Sequence, residues 1–268
     1  MRMQDKVAVV IGAGQSPGEG IGNGRATAMV FAREGAKVLC VDNNLASAQE
    51  TVALIAKAGG IAAALEGEVM QEADMKASVD DVLRRWGRLD TLHYNVGVSL
   101  GGGDKPPLEI TEEDFDRVNA INLRGYVMAC KHALPVMRAQ RAGCILAISS
   151  VAALSATYAT VAYKTSKAGV IAFTEQIARQ NAEYGVRANV IVPGLINTPM
   201  AVDTRVRVWG QSRAEVVAAR NSRVPLRKTM GTAWDVANAA LFLASDEANF
   251  ITGVALPVDG GGLLRSSD

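Results

Sequence analysis

Cysteine and histidine are both scarce in this sequence. The 268 residues include three cysteines, Cys40, Cys130 and Cys144, and two histidines, His93 and His132. The cysteines lie far apart and form no Cys-x-x-Cys pair, which argues against a disulfide framework or a thiolate metal site. Neither histidine lies near a cluster of cysteines or carboxylates in the sequence, so we expect both to have packing roles and predict no metal site.

Charge imbalance and long apolar runs are missing as well. The formal net charge is +1, which gives no electrostatic reason to expect nucleic acid or a membrane surface as a partner. No apolar run approaches the roughly 20 residues that a membrane span requires. The chain also enters a strand-like stretch at Val7–Ile11 without room for a signal peptide. We therefore expect a cytoplasmic protein whose partner is a small molecule.

Apolar material for a large core is abundant, since 49% of the residues are hydrophobic and 21% are charged. Short apolar runs alternate with longer segments of helical period, which is typical of βαβ units. We predict seven strands, at 7–11, 38–41, 62–66, 91–94, 144–149, 187–191 and 255–257, with the first two helices at 25–34 and 46–57. The strands are almost continuously apolar, as a parallel sheet covered on both faces requires. The expected fold is α/β, a doubly wound Rossmann-type sheet of about seven strands in a single domain over residues 1–268.

Two stretches interrupt this alternation, at 97–107 and 198–224. Both follow strands at the edge of the sheet where ligands bind in doubly wound folds. The second stretch has a helix-like spacing of apolar residues among charges, and we interpret it as a mobile lid over the substrate. A variable surface helix would show the same periodicity.

A glycine-rich loop runs from Gly12 to Gly24, between the first strand and a helix that begins at Arg25. Glycine permits positive φ and close approach of the backbone to a pyrophosphate, and a helix N-terminus offers free N–H groups. The loop therefore predicts a phosphate-binding turn. Pro17 stands where the third glycine of G-x-G-x-x-G belongs, so the loop by itself also fits a generic glycine-rich connection.

Asp42 stands at the tip of the second predicted strand. An acidic residue there can accept both ribose hydroxyls of an adenosine, and its charge would repel the additional phosphate of NADP. The loop between Gly12 and Gly22 has no Lys or Arg, and Asn43 rather than an arginine follows Asp42. The implied cofactor is NAD. Aspartate at a strand end is also a common turn former, and the preceding glycine loop is what favours the cofactor role.

Tyr163 and Lys167 lie one turn apart on a predicted helix, so their side chains share a face. A fixed ammonium near a phenol favours the phenolate and lowers its pKa toward the range of a useful base. Ser150 follows a buried strand and could offer its hydroxyl to the same substrate oxygen. The Tyr-x-x-x-Lys pattern alone also fits a packed tyrosine beside a solvated lysine.

Together these motifs resemble those of the short-chain dehydrogenase/reductase family, over nearly the whole chain. The resemblance completes a catalytic tetrad by adding Asn122, in Ile-Asn-Leu-Arg-Gly, to Ser150, Tyr163 and Lys167. It implies that Ser150 holds the substrate oxygen and that Tyr163 transfers the proton as general acid/base. It also implies that Lys167 binds the nicotinamide ribose and lowers the tyrosine pKa, while Asn122 holds a water that links Lys167 to solvent.

The same resemblance places the cofactor contacts. Gly12, Gly22 and Gly24 match the three glycines of the family's loop, which here is six residues longer than usual, and Gly20-Ile21-Gly22 also fits the motif. Outside the loop, the implied contacts are Asp42, Asn43, Glu68, Val69, Asn95, Gly97, Tyr163, Lys167, Pro193, Gly194, Ile196 and Thr198. Glu68 stands where the family usually has an aspartate beside the adenine, and Tyr94 replaces the first residue of Asn-Asn-Ala-Gly, a change we expect to be structural.

The function implied is that of an oxidoreductase that transfers a hydride between NAD(H) and a secondary alcohol or ketone. Two alternatives stay open: an NADPH-dependent reductase of 3-oxoacyl thioesters, which Asp42 disfavours, and a non-catalytic dinucleotide-binding sensor, which the complete tetrad disfavours. No charged residue is firmly placed to anchor an acid. The candidate pocket residues are mainly apolar, and they are Ser99, Val151, Tyr158, Leu195, Met200 and Trp209.

A homotetramer is the expected assembly, because proteins that share the resemblance pair two long helices across two-fold axes. The helix around residue 130 offers an apolar stripe for that contact, formed by Ala129, Ala133, Val136 and Met137.

Overall fold

Seven parallel strands form one sheet in the computed structural model, which describes residues 1–156 and 158–264. The strands of the chain are β1 (Val7–Ile11), β2 (Lys37–Asp42), β3 (Ile61–Glu66), β4 (Thr91–Tyr94), β5 (Gly143–Ile148), β6 (Val186–Pro193), β7 (Ile196–Asn197), β8 (Gly231–Thr232) and β9 (Ala255–Val258). The order in the large sheet is β3-β2-β1-β4-β5-β6-β9, and β7 pairs with β8 separately. All seven predicted strands are present, so the doubly wound α/β fold is confirmed.

Helices cover both faces of the sheet. They are α1 (Asn23–Arg33), α2 (Leu45–Lys57), α3 (Glu72–Trp86), α4 (Glu112–Asn119), α5 (Gly125–Gln140), α6 (Val151–Leu154), α7 (Ala162–Asn181), α8 (Asp203–Trp209), α9 (Arg213–Ser222) and α10 (Ala233–Ala244). None of those in the described part of the chain combines the length and apolar character needed to cross a membrane.

Alternate residues of each strand enter two different cores, which explains why the strands are apolar throughout. In β1, Ala8 and Val10 pack with residues of α1 and α10 on one face. Val9 and Ile11 pack with residues of α3, α5 and α7 on the other. Because both faces are buried, most positions of both sets are apolar, and buried polar residues such as His93 in β4 and Asn189 in β6 are exceptions.

The order of the strands creates the ligand crevice. The strand β1 pairs with β2 on one side and with β4 on the other, so the chain reverses its winding direction there. Loops that leave the carboxyl ends of β1 and β4 therefore diverge, which opens a cleft at this edge of the sheet.

The stretch 198–224 forms α8 and α9 around a small core of its own. Val202, Val216, Val224 and Met230 are buried together there, apart from the two main cores. The helix-like spacing is thus accounted for by packing, and the movement of this stretch as a lid stays a prediction.

The apolar stripe predicted on α5 faces the interior of the subunit. Ala129, Ala133 and Met137 are at most 1% exposed and belong to the core between the sheet and the helices α3 and α7, with Val136 packed against it. The hypothesis that this stripe forms a subunit contact is therefore wrong. The homotetramer itself stays a prediction.

Candidate active site

Four polar side chains predicted to carry the chemistry lie beyond the carboxyl ends of β4 and β5: Asn122, Ser150, Tyr163 and Lys167. Ser150 directly precedes α6 and caps it, since its Oγ accepts the N–H of Ala152 at 3.1 Å. The hydroxyl of Ser150 is also close enough to that of Tyr163 to lower the pKa of the phenol. The structure therefore places a second hydroxyl next to the phenol.

Lys167 is buried against the strand ends. Its Nζ donates hydrogen bonds to the carbonyl oxygen of Ile148 at 2.8 Å and to that of Val96 at 3.2 Å. A Cβ on Gly97 would lie 2.8 Å from this Nζ, so only glycine leaves room for the ammonium there. Burial lowers the pKa of Lys167 to about 7. At neutral pH the side chain is therefore poised to gain or lose a proton.

The acidity of Tyr163 is controlled by its surroundings. Burial, reinforced by the neighbouring phenol of Tyr158, raises the pKa of Tyr163 to about 12. The main opposing influences, which lower this pKa, are the hydroxyl of Ser150 and the positive charge of Arg205. The Nζ of Lys167 lies 5.8 Å from the centre of the tyrosine ring. The sequence led us to expect that Lys167 lowers the pKa of Tyr163, but Lys167 is not among the main influences here, and burial dominates.

Asn122 lies in a π-helical segment, Ala120–Arg124, that joins α4 to α5. Its Oδ1 accepts the N–H of Val98 at 2.8 Å, and its Nδ2 donates to the carbonyl oxygen of Val98 and to Ser166 Oγ, each at 3.0 Å. The hydroxyl of Tyr94 donates to the carbonyl oxygen of Ile121 at 2.5 Å and so anchors the same segment, which supports a structural role for Tyr94. Single π turns inside longer helices are common at functional sites.

Asp104 supports the helix that carries Tyr163, a role that the sequence did not reveal. Its carboxylate is 3% exposed and accepts the backbone N–H groups of Ala162 at 2.8 Å and Tyr163 at 3.1 Å. The residue before the helix, Val161, has no side chain that could do this. The only signal was an aspartate in the irregular stretch 97–107, and its distance along the chain hid the contact.

The substrate side of Tyr163 is formed by Tyr158 and by the stretch 198–224. The rings of Tyr158 and Tyr163 lie 5.7 Å apart, and the hydroxyl of Tyr158 hydrogen-bonds with Ser99 Oγ at 3.2 Å. Tyr158 and Ser99 were among the predicted pocket residues, and the structure brings both to the phenol. Met200 and Trp209 are more exposed, at 37% and 53%.

The glycine-rich loop has the geometry of a dinucleotide-binding turn. A Cβ on Gly24 would lie 1.9 Å from the carbonyl oxygen of Gly12, so Gly24 permits the close packing of α1 on β1. Gly22 precedes α1, and Cβ atoms on Gly22 or Gly20 would meet nothing closer than 3.9 Å. The side chain of Gln15 braces the lengthened loop by accepting the N–H of Gly22 at 3.0 Å and donating to Gly20 O at 3.1 Å.

The N-terminus of α1 fits the pyrophosphate of a dinucleotide cofactor. No side chain caps this helix, and its first turn contains no acidic residue, so its N–H groups and positive dipole end suit an anion. Oδ1 of Asn23, in the first turn, is buried without a hydrogen-bond partner. Ile21 points away from this region and packs against the core.

Asp42 ends β2 and Asn43 follows it, and both lie beside the glycine-rich loop. The Asp42 carboxylate accepts the N–H groups of Gly14 at 2.8 Å and Asn44 at 3.0 Å. Asn43 Nδ2 donates to Glu68 Oε2 at 3.3 Å, which joins two more of the predicted cofactor residues. These three side chains lie together at the carboxyl ends of β2 and β3.

The remaining predicted contacts include half-buried and buried residues. Asn95 Nδ2 donates to Gly12 O at 3.1 Å and ties the loop after β4 to the glycine-rich loop. Val69 and Ile196 are 6% and 4% exposed, so their side chains serve packing and their backbone is what a cofactor could reach.

The end of β6 contributes a turn that is held by backbone hydrogen bonds. Pro193 ends the strand, and the N–H of Gly194 donates to Val258 O at 3.0 Å. The carbonyl oxygen of Thr198 accepts the N–H of Val202 at 2.9 Å, which starts the turn toward α8.

The lengthened glycine loop touches the stretch 198–224. Arg207 Nη1 donates to Pro17 O at 3.2 Å. Arg213 Nε lies 3.5 Å from Glu19 Oε2 and 3.4 Å from Asp203 Oδ1. The additional loop residues thus face two arginines of this stretch.

Comparison with known proteins places the chain in a family. Residues 17–262 match the family model described as enoyl-(acyl carrier protein) reductase. The chain is 35% identical to 2-(R)-hydroxypropyl-CoM dehydrogenase of Xanthobacter autotrophicus, over 95% of this chain and 97% of that protein. It is 34% identical to the 3-oxoacyl-(acyl-carrier-protein) reductase FabG of Thermotoga maritima, over 97% of this chain and 99% of that protein.

A solved structure shows the same architecture. The crystal structure of a short-chain dehydrogenase/reductase from Burkholderia xenovorans is 41% identical and superposes with a TM-score of 0.91. The match covers 99% of each chain. The chain therefore belongs to the short-chain dehydrogenase/reductase family of oxidoreductases.

Proposed function

We propose that this enzyme uses NAD to interconvert a secondary alcohol and a ketone, with Tyr163 as the general acid/base. The observation that carries the proposal is the cluster of Ser150, Tyr163 and Lys167 next to a loop that fits a dinucleotide. The Ser150 hydroxyl is close enough to lower the pKa of Tyr163, and Lys167 lies one turn further along α7.

The residues divide the work according to their chemistry. Ser150 holds the substrate oxygen by a hydrogen bond, and Tyr163 gives or takes the proton on that oxygen. With a pKa raised to about 12, Tyr163 is protonated at neutral pH and ready to donate in the direction of ketone reduction. In the direction of oxidation it needs a positive charge nearby, which a protonated Lys167 supplies. The nicotinamide, when bound, accepts or donates the hydride.

The surroundings of Asp42 support NAD rather than NADP. Gly14, whose Cβ would lie 2.7 Å from the Asp42 carboxylate, brings the loop next to this negative charge. The nearest arginine on that side, Arg25, is already paired with Glu50 at 2.9 Å and hydrogen-bonded to Ser47 and Thr51. A 2′-phosphate would therefore meet the Asp42 carboxylate, and Arg25 is not free to balance its charge.

The decisive experiment measures reduced-nicotinamide absorbance with a panel of secondary alcohols, using NAD and NADP separately. We expect turnover with NAD that Tyr163→Phe abolishes. Turnover of 3-oxoacyl thioesters with NADPH alone would favour the thioester-reductase alternative. NADH binding, measured by fluorescence, without turnover of any substrate would favour the non-catalytic sensor.

A further inference from the structure

Two arginines of the stretch 198–224 lie near the active-site phenols without an acidic partner. Arg205 is on α8 and Arg220 is on α9. In the described ranges 1–156 and 158–264, no aspartate or glutamate oxygen lies within 4.0 Å of either guanidinium. Arg213, on the same two-helix stretch, does have such partners in Glu19 and Asp203. Arg207 and Arg223 also have no ion pair among the described residues, but both are exposed, whereas Arg205 is half-buried and Arg220 is buried.

Arg220 is buried although it carries a charge. Its residue is 8% exposed, and its hydrogen bonds go to Met230 Sδ at 3.2 Å and Ile196 O at 3.4 Å. Both contacts are weak for a guanidinium, which has five N–H donors. Burying a charge without an ionic partner costs several kcal/mol, so such a group is expected to have a function.

Arg205 completes the positively charged patch. Its Nη1 donates to Ala201 O at 2.7 Å, and its guanidinium lies 5.5 Å from the centre of the Trp209 ring. These contacts fix the orientation of the side chain but leave its charge unbalanced. The carbonyl and the ring hold the guanidinium as a preorganised donor rather than a mobile surface group.

Contacts with predicted site residues place the two guanidinium groups at the edge of the candidate site. Arg220 donates to Ile196 O, and Arg205 lies over the ring of Trp209. The charge of Arg205 lowers the pKa of Tyr163. Burial lowers the pKa of Arg220 to about 10, helped by the charges of Arg205 and Arg223 and opposed by Tyr158 and Tyr163. Both arginines are thus within electrostatic reach of the reacting phenol.

Two further arginines of the stretch contact the glycine-rich loop instead. Arg207 contacts the glycine loop through Pro17, and Arg213 lies next to Glu19 of that loop. This division favours a substrate anion, rather than the pyrophosphate, as the ligand of Arg205 and Arg220.

We propose that Arg205 and Arg220 bind an anionic group of the substrate, so that the substrate is a hydroxy acid or its oxo acid. Paired arginines suit an oxyanion because each guanidinium can donate two parallel hydrogen bonds. Binding the acid would also fix the distance between the anionic group and the carbon that reacts beside Tyr163. This inference rests on the proposed function, and it replaces the expectation that no charged residue anchors an acid.

The test compares 3-hydroxybutyrate with its amide and its methyl ester as substrates, with NAD and the full-length protein. A short hydroxyalkyl sulfonate tests whether another oxyanion replaces the carboxylate. The variants are Arg220→Gln and the more exposed Arg205→Gln, which guards against misfolding of the first. Arg220→Lys keeps the charge but loses the bidentate geometry, and Arg223→Gln removes an exposed charge from the end of the same helix.

We expect each glutamine variant to lower kcat/KM for the acid about 10- to 100-fold, the range for a lost hydrogen bond to a charged group. Turnover of the amide and ester should change less than about threefold, and Arg220→Lys should recover part of the loss. Arg223→Gln should behave like the unaltered protein. Equal kcat/KM for acid and amide in the unaltered protein, or a loss of NADH affinity in place of acid selectivity, would overturn the proposal.

A binding measurement separates this proposal from the proposed function. Calorimetric titration of acetoacetate into the protein–NAD complex, a pair in which both partners are oxidised and cannot react, should show binding that Arg205→Gln weakens about 10-fold or more. Such binding without turnover of any alcohol would retain the anion site and reject the proposed function. Turnover of neutral alcohols without selective binding of the acid would reject the anion site and retain the proposed function.

Discussion

The carboxylate of Asp104 accepts the backbone N–H of Tyr163 at 3.1 Å, from a loop that precedes this residue by a long stretch of chain. The same carboxylate accepts the N–H of Ala162 at 2.8 Å. Asp104 thereby does for α7 what an N-cap residue does for most helices. Because Tyr163 and Lys167 are both in the first turns of α7, the position of Asp104 sets the position of both.

Asp104→Ala should lower the free energy of unfolding by about 1–3 kcal/mol, since it leaves two helix N–H groups without acceptors. We expect kcat to fall more than KM rises, because the cap positions Tyr163 rather than the substrate. Asp104→Asn keeps an acceptor oxygen and should recover most of both properties. Urea unfolding together with steady-state kinetics measures this; equal stability of Asp104→Ala and the unaltered protein would contradict it.

Tyr163→Phe should nearly abolish turnover and leave NADH affinity close to normal, because only the phenolic oxygen is lost. Lys167→Ala should impair both, since the ammonium is expected to contact the nicotinamide ribose and to favour the phenolate. NADH fluorescence titration beside steady-state kinetics distinguishes the two variants. Retained turnover in Tyr163→Phe would remove this residue from the chemistry, and unchanged NADH affinity in Lys167→Ala would confine the lysine to proton transfer.

Stability should depend on pH through Lys167. Its pKa is lowered to about 7 in the folded protein, so between that pH and the ordinary value of 10.5 the unfolded chain binds more protons. The free energy of unfolding should therefore rise with pH in this window, by at most about 1.4 kcal/mol per pH unit. The raised pKa of Tyr163, about 12, acts in the opposite direction above pH 10, where only the unfolded chain has lost that proton.

Lys167→Met tests this dependence. Urea unfolding of the protein without added cofactor, at several pH values from about 7 to 9, should show a flatter profile for Lys167→Met than for the unaltered protein. Lys57→Met, which changes an exposed lysine at the end of α2, is the matched control and should keep the original slope. Identical slopes in all three proteins would show that Lys167 retains an ordinary pKa.

Cofactor selectivity should follow Asp42. Asp42→Ser should relax the preference for NAD, because it removes the negative charge beside the ribose. Adding Asn43→Arg should move the preference toward NADP by supplying a partner for the phosphate. The ratio of kcat/KM for the two cofactors measures the change. A preference for NADP in the unaltered protein would show that Asp42 has no such role.

Local patterns were enough to predict the frame of the molecule. The seven strands were found because continuous apolar runs of that length can only be buried on both faces of a sheet. The roles of Gly12 and Gly24 could be predicted from the sequence. A side chain at Gly24 would collide with Gly12, so this position requires glycine. Tyr163 and Lys167 were recognisable because one helical turn separates them, so their proximity is a property of the helix itself.

The properties that tune the site depend on contacts between distant parts of the chain. Asp104 caps α7 across a long loop, and the α5 stripe faces inward because α3 and α7 cover it. Which arginines of the stretch 198–224 face the phenols also depends on how α8 and α9 fold back on the sheet.

By itself, then, the sequence determined the α/β fold, the glycine-rich turn and the pairing of Tyr163 with Lys167, because each follows from interactions between near neighbours along the chain. Asn122 was identified through the family resemblance. Only the tertiary structure decided that the pKa of Lys167 lies near 7 and that Arg205 and Arg220 lack a counter-charge. Desolvation and charge pairing depend on what surrounds a group in space, and for these residues the surroundings come from distant segments.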